Sequence, residues 1–351
     1  MPRYNTARHV ALLDAFIAPP PADVVPLQAA FAAVVARQWQ QHVPSALPDL
    51  APGITDADFA KARFIGEMYA RGCYSMLLVS ARGPIMLRLP VRATTLLPRS
   101  RALILRFGRA LILGLNWLVP ESVHRQLLLT SALMGMLDVV LDEAAGEGEA
   151  SVLRVSALLA RPRPPSVSST ELPITVLTEA ARRYESGWQS EYWENVLQPA
   201  VRDYCLAEHL AVIASPDPTG LAHRWPGIDA AIKGMWYVIG PLIGLQGSLS
   251  QFMQSAWTAE QQWMADTSLL MQMIDDWADQ DEDRGSRITP VVTGAWSPQS
   301  IADLYARTVG DLRALLIRNG VQNVTAQDIF VDLYKDYLHT AMGAMRSGVA
   351  A

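Results

Sequence analysis

An all-α fold is predicted by three observations. Apolar residues recur at i, i+3, i+4 and i+7 through most of the chain, the stripe of an amphipathic helix. Proline and glycine gather between these stretches, at Pro44–Pro52, Gly83–Pro98, Pro162–Pro165 and Ser215–Gly220. Half of the 351 residues are hydrophobic and only 18% are charged, which suits a large buried interior or a deep apolar cavity.

The periodicity places helices over Leu27–Gln41, Asp58–Val79, Ser100–Leu118, Glu121–Ala145, Ser151–Leu159, Leu172–Ile213, Gly227–Phe252, Ala259–Asp281, Ser300–Asn319 and Ala326–Arg346. Starts are marked by the Thr-x-Ala-Asp run at Thr55, by Pro120-Glu121, by Ser297-Pro298 and by Thr325. Strand-like segments are confined to Tyr74–Val79 and Ile85–Val91. No repeat of fixed period occurs. Residues 1–98 hold two proline-rich stretches and read as an N-terminal extension or cap, partly helical. Residues 99–351 read as the main helical domain, or as one domain continuous with the first.

The net charge of −5 and pI near 5.7 argue against a nucleic-acid partner. Cys73 and Cys205 lie far apart and form no CxxC pair, so neither a disulfide scaffold nor a zinc site is expected and the chain reads as cytoplasmic. The N-terminal apolar stretch contains Asp14 and runs into prolines, unlike a signal peptide. The most apolar segment, Ala102–Val119, is interrupted by Arg106 and Arg109 and is too short to span a bilayer, which takes about 20 residues.

Charge is unevenly distributed. From Lys61 to Arg125 there are eleven basic residues and two acids, Glu67 and Glu121; from Asp138 to Glu149 there are five acids and no base. The basic segment either rests on anionic lipid head groups, helps bind a diphosphate, or is a surface helix whose arginines are solvated.

Two carboxylate motifs stand out. In LDVVLDE, Asp138 and Asp142 end an apolar helix at i, i+4 spacing, on one face and about 6 Å apart along the axis. Like charges so placed repel, and a hard divalent cation bridging them removes that cost. In MIDDWADQDEDR, Asp275, Asp279 and Asp283 at i, i+4, i+8 form one stripe after an apolar run, so part of it is expected to reach inward. Each motif alone also fits a solvated helix end. Together, in an all-α chain, they suit a trinuclear metal site between facing helices.

The run MQMIDDWADQDEDR resembles the second metal motif of the large-terpene synthase (tetraprenyl-β-curcumene synthase) family, within the class I isoprenoid synthase superfamily. The match is carried by Asp275, Asp279, Gln280, Asp283 and Arg284. LDVVLDE is similar to the family's first motif through Leu137, Asp138 and Asp142, but Glu143 stands where an arginine is usual. His223-Arg224-Trp225-Pro226 through Gly240 resembles the stretch before the second motif.

The resemblance implies a class I terpenoid synthase helical bundle around a central apolar cavity. It implies a lyase that ionises a long-chain prenyl diphosphate, C20–C35, to an acyclic or cyclised terpene and diphosphate. Three Mg²⁺ ions are then expected on Asp138, Asp142, Asp275, Asp279 and Asp283, with Arg284, Arg287, Lys233 and Arg125 completing a diphosphate cradle. Trp236 and Trp277 belong to a set of eight tryptophans between Trp188 and Trp296; aromatic faces stabilise a desolvated cation by up to ~2 kcal/mol. Met134, Met136, Met264, Met271 and Met273 are candidates to line the same cavity. Expected partners are the prenyl diphosphate, a membrane surface contacted peripherally, and a second copy in a homodimer.

A prenyl transferase or a squalene/phytoene-synthase-like condensing enzyme is the alternative within the superfamily. The sparse DxxxD of the first motif favours the synthase. A helical binding protein whose acids are merely solvated is the alternative outside it. No GxGxxG, GxxxxGK[ST], HExxH or GxSxG occurs, and His124, His209, His223 and His339 read as structural or solvated.

Overall fold

The computed structural model describes residues 16–43, 56–79, 90–136 (apart from 122, 126, 130, 133 and 134), 259–278 and 297–347. Most of these residues are helical, and no strand occurs among them. The expected helices over Ser151–Leu159, Leu172–Ile213 and Gly227–Phe252, and the Thr55 start, lie outside the described residues.

A 3₁₀ turn, Ala22–Val24, leads into α1, Val25–His42, which carries Pro26 in its first turn. Proline suits that place because the amide it lacks has no partner in a first turn. Leu27, Ala30, Phe31, Val34, Val35, Gln38 and Trp39 form its buried stripe. Helix α2 is Asp56–Val79. The strand candidate Tyr74–Val79 is its last turns. Its aromatic and branched residues suit a strand locally, but Tyr74, Leu77 and Leu78 are buried at helical spacing. The part of the second candidate that is described, 90–91, is also helical.

A 3₁₀ turn, Thr94–Leu96, precedes α3, Arg101–Leu118. Pro120 then breaks the chain, and its carbonyl accepts from the Val123 and His124 amides to start α4, helical at every described residue from 121 to 136. The later helices are α5 (Ala259–Ala278), α6 (Pro298–Arg318) and α7 (Val324–Ser347). Ser297 caps α6 as its sequence suggests: Oγ accepts from Ser300 N at 3.2 Å and Pro298 follows. Thr325, by contrast, lies inside the first turn of α7. The capping role falls to Asn323, whose Oδ1 accepts from Ala326 N at 3.3 Å while its amide holds the Leu97 carbonyl at 3.2 Å.

The α6–α7 turn closes on Gly320 at φ +90°, where glycine escapes the cost of a Cβ. Gly320 N donates to Ile317 O and Val321 N to Leu316 O, the paired bonds that satisfy the last carbonyls of a helix.

Helix packs on helix around one hydrophobic cluster drawn from all seven helices. Helix α7 touches α1, α2, α3, α5 and α6, so it is the axis of the bundle. Helices α1 and α3 run parallel: Leu27 lies beside Gly108, and Gln38 donates to Asn116 at 2.8 Å. Buried Cys73 carries a free thiol whose pKa burial pushes up, which leaves it unreactive.

Helices α2 and α4 approach through glycine. A Cβ on Gly135 would stand 2.1 Å from the Ala62 carbonyl oxygen, and one on Gly66 would stand 2.9 Å from the Ser131 carbonyl oxygen. Backbone cannot yield as a flexible side chain can. Gly135→Ala is expected to cost about 1–3 kcal/mol by overpacking. A shift in the urea midpoint checks this; an unchanged midpoint would mean the helices are not this close.

His124 sits in the same region, buried, with Nδ1 2.6 Å from the Tyr74 hydroxyl and its ring stacked on His42 at 6.4 Å. Burial, with His42 adding to it, lowers its pKa from 6.5 to about 4. Between these values the unfolded chain binds the proton and the folded chain does not. Stability is therefore full above pH 6.5 and falls as pH drops toward 4, by up to about 3 kcal/mol. Unfolding midpoints measured between those limits should show this slope. His124→Gln, which can still bond Tyr74, should flatten it.

Candidate metal and diphosphate site

Helix α5 carries the start of the stronger motif. Trp263, Asp266, Thr267, Leu270, Met273 and Ile274 are buried along one side of it. Trp263 Nε1 donates to the Thr308 carbonyl at 2.9 Å, and its ring lies 5.5 Å from Tyr334, tilted by 48°. The hydroxyls of Thr267 and Tyr334 are 3.2 Å apart. Asp266 accepts from Arg307 at 3.1 Å and from Gln262 at 3.1 Å. These bonds fix the rotation of α5 in the bundle.

Asp275 is a position of this helix. It stands twelve residues after Trp263, hence about 120° round and about 18 Å along, and about 100° round from Ile274. Its register is therefore on the flank of α5, beside the buried stripe rather than within it. The remainder of the aspartate stripe, Asp279 and Asp283, lies outside the described residues. The apolar face is already committed to α6 and α7.

Two other expected site residues are described. Trp277 is half-buried and packs against the hydrophobic cluster. Arg125 pairs with Glu121 at 2.9 Å along α4, so its charge is already engaged locally. Asp138, Asp142, Asp279, Asp283, Arg284, Arg287, Lys233 and Trp236 lie outside the described residues. The approach to the first motif is visible, because Gly135 and Met136, three and two residues before Asp138, are buried in α4. Among the described residues no three His, Cys, Asp or Glu side chains are grouped to hold a metal. The fit of Mg²⁺ therefore rests on donor chemistry: carboxylate oxygens, which hard cations take.

An apolar cavity lies between α1, α2, α5, α6 and α7, walled by Phe31, Leu78, Trp263, Phe330, Leu333 and Tyr337. Its volume is about 40 Å³ on the scale where one water needs about 10–15 Å³. It admits a small group, not a chain of twenty carbons. Of the methionines expected to line such a cavity, Met136 and Met273 are buried and Met271 packs on the cluster, but none of them walls this one. Of the four histidines read as structural or solvated, His124 bonds Tyr74 and His339 Nε2 lies 2.9 Å from the Ile17 carbonyl oxygen.

A second carboxylate stripe passes unnoticed in the sequence. Asp328, Asp332 and Asp336 on α7 have the same i, i+4, i+8 spacing as Asp275, Asp279 and Asp283. Each meets an arginine from another helix: Arg313 at 2.7 Å, Arg101 at 2.8 Å and Arg71, respectively. Gln28 also donates to Asp336, and Arg101 reaches on to Asp23 at 2.8 Å. In this chain the spacing thus already serves as an inter-helix ion-pair ladder. The second motif differs in its neighbours, with the acids Asp276, Asp281 and Glu282 around it where α7 has Ile329, Tyr334 and Lys335.

Comparison with protein-family models, with curated proteins and with solved structures gives no match for this chain.

Proposed function

We propose that the chain is a class I terpene synthase that converts a long-chain prenyl diphosphate, C20–C35, to a terpene and diphosphate. The observation that carries this reading is the triple Asp275/Asp279/Asp283 with Gln280 and Arg284, beginning on a regular helix. An arginine ladder of the α7 kind accounts less well for the second motif. There, Asp276, Asp281 and Glu282 add charge that three arginines would not neutralise. Metal sites of helical bundles are built from carboxylates on facing helices, and Asp138/Asp142 is the natural counterpart.

Asp138, Asp142, Asp275, Asp279 and Asp283 would hold Mg²⁺, which supplies the positive charge that makes diphosphate a leaving group. Arg284, Arg287 and Lys233 would bind the diphosphate oxygens, and Arg125 would have to exchange Glu121 to join them. Trp236 and Trp277 would present ring faces that exclude water and stabilise the allylic cation. The test is mass spectrometry of products from C15 to C35 prenyl diphosphates incubated with the protein and Mg²⁺. A hydrocarbon or alcohol from one substrate molecule supports the proposal. A product joined from two substrate molecules identifies a condensing enzyme instead.

A further inference from the structure

Helix α3 has two apolar faces. One is buried in the bundle through Ile104, Leu111, Ile112 and Leu115. The other looks outward. Leu103, Arg106, Ala110 and Trp117 are spaced by three, four and seven and are exposed, so they share a face, while Leu113 between them is half-buried against the core. Trp117 is 75% exposed and Leu103 39%, and Leu96, in the turn before the helix, is 86% exposed. Large apolar side chains at this exposure are few among the described residues, and half of them lie on this segment. Such a concentration marks a surface that meets something.

Charge says what it meets. Arg99, Arg106 and Arg109 are exposed, and no ion pair described in the structure uses them. From Met68 to Pro120 the sequence contains no aspartate or glutamate. An acid-free strip with arginines interleaved among leucine and tryptophan has the pattern of an interfacial helix, its rings and aliphatic chains at the acyl boundary and its guanidinium groups among head groups. The length is right for lying flat. Eighteen residues run about 27 Å, and the buried face holds the helix along α1. Among the described residues no single helix is long and apolar enough to cross a membrane.

We infer that the outward face of α3, with Leu96 and Arg99 at its entrance, docks the protein on an anionic lipid surface. The docking does not depend on the reaction proposed above. The full chain should float with vesicles of phosphatidylcholine containing about a third phosphatidylglycerol, and bind pure phosphatidylcholine far less. Arg106→Gln/Arg109→Gln should weaken binding to the anionic vesicles about 30-fold, from about a fivefold loss per arginine. Leu103→Ser/Trp117→Ser should weaken it as strongly. All four positions are exposed, and unchanged melting temperatures will show that the variants fold. If a variant does not fold, the wild-type salt dependence decides: binding must fall steeply as salt rises. Equal binding to neutral and anionic vesicles, or wild-type affinity in either folded double variant, would overturn the inference. So would the absence of binding by wild type, including the case in which the same face takes an acidic protein instead.

Discussion

Asp279→Asn should reduce turnover of a prenyl diphosphate at least about a hundredfold while leaving the melting temperature unchanged, and Asp138→Asn should do the same. Asparagine keeps the shape and one oxygen donor but removes the charge. A carboxylate that helps concentrate cations on a leaving diphosphate contributes several kcal/mol to the barrier, and each 1.36 kcal/mol is about tenfold in rate. The α7 stripe supplies an internal control. Asp332 has the same spacing as Asp279 within its stripe, yet it lies against Arg101 and Lys335. Asp332→Asn should lower stability and leave the rate of the remaining folded protein near wild type. Rate loss from the first substitution and stability loss from the second would separate a site from a scaffold at identical spacing. If Asp279→Asn and Asp138→Asn both kept full activity, the metal assignment would be wrong.

Arg71→Leu should destabilise the fold by about 3–5 kcal/mol, the largest single loss expected in the bundle. The Arg71 and Asp336 side chains are 11% and 8% exposed, and they join α2 to the axial helix α7. Arg71 also donates to Thr340 at 3.1 Å and lies 5.9 Å from the Phe31 ring centre. Burial already raises the Asp336 pKa, with Arg71 and Gln28 working in the opposite direction. Removing the guanidinium leaves the buried carboxyl group with only the Gln28 donor and the more distant His339 to offset its desolvation. Replacing both partners, as in Arg71→Leu/Asp336→Leu, removes the stranded group and should recover most of the loss. Chemical denaturation of the two single variants and the double variant measures the difference. A double variant no more stable than Arg71→Leu would show that packing, not charge, sets the cost.

Helices were legible wherever a stripe of apolar residues repeated with period 3.6, as in α1 and α6, and wherever a cap was local, as at Ser297. Ambiguity arose where local chemistry points two ways. Tyr74–Val79 falls within the expected helix Asp58–Val79 yet carries strand-favouring side chains, and their burial at helical spacing decides for α2. Thr325 is a good cap by residue type, but Asn323 is also anchored to the Leu97 carbonyl, a contact more than two hundred residues away in sequence. The ladder on α7 escaped for the same reason. Asp328, Asp332 and Asp336 sit among Ile329, Phe330, Val331 and Leu333 and read as the polar face of an ordinary helix. Their partners Arg71, Arg101 and Arg313 come from three other helices.

Of the site, the sequence names the carboxylates and the structure supplies the register of Asp275 and the surroundings of Trp277 and Arg125. The local Arg125–Glu121 pair was available to sequence, since i, i+4 partners of opposite charge face each other on any helix. The register of α5 was not, because it depends on which face Trp263 and Ile274 commit to the core.

The most direct test of the proposed synthase is release of inorganic diphosphate from geranylgeranyl diphosphate, with and without Mg²⁺. The expected result is release that requires the metal, stops on chelation and is lost in Asp279→Asn. Absence of release from every C15 to C35 substrate, by folded protein in saturating Mg²⁺, would contradict it.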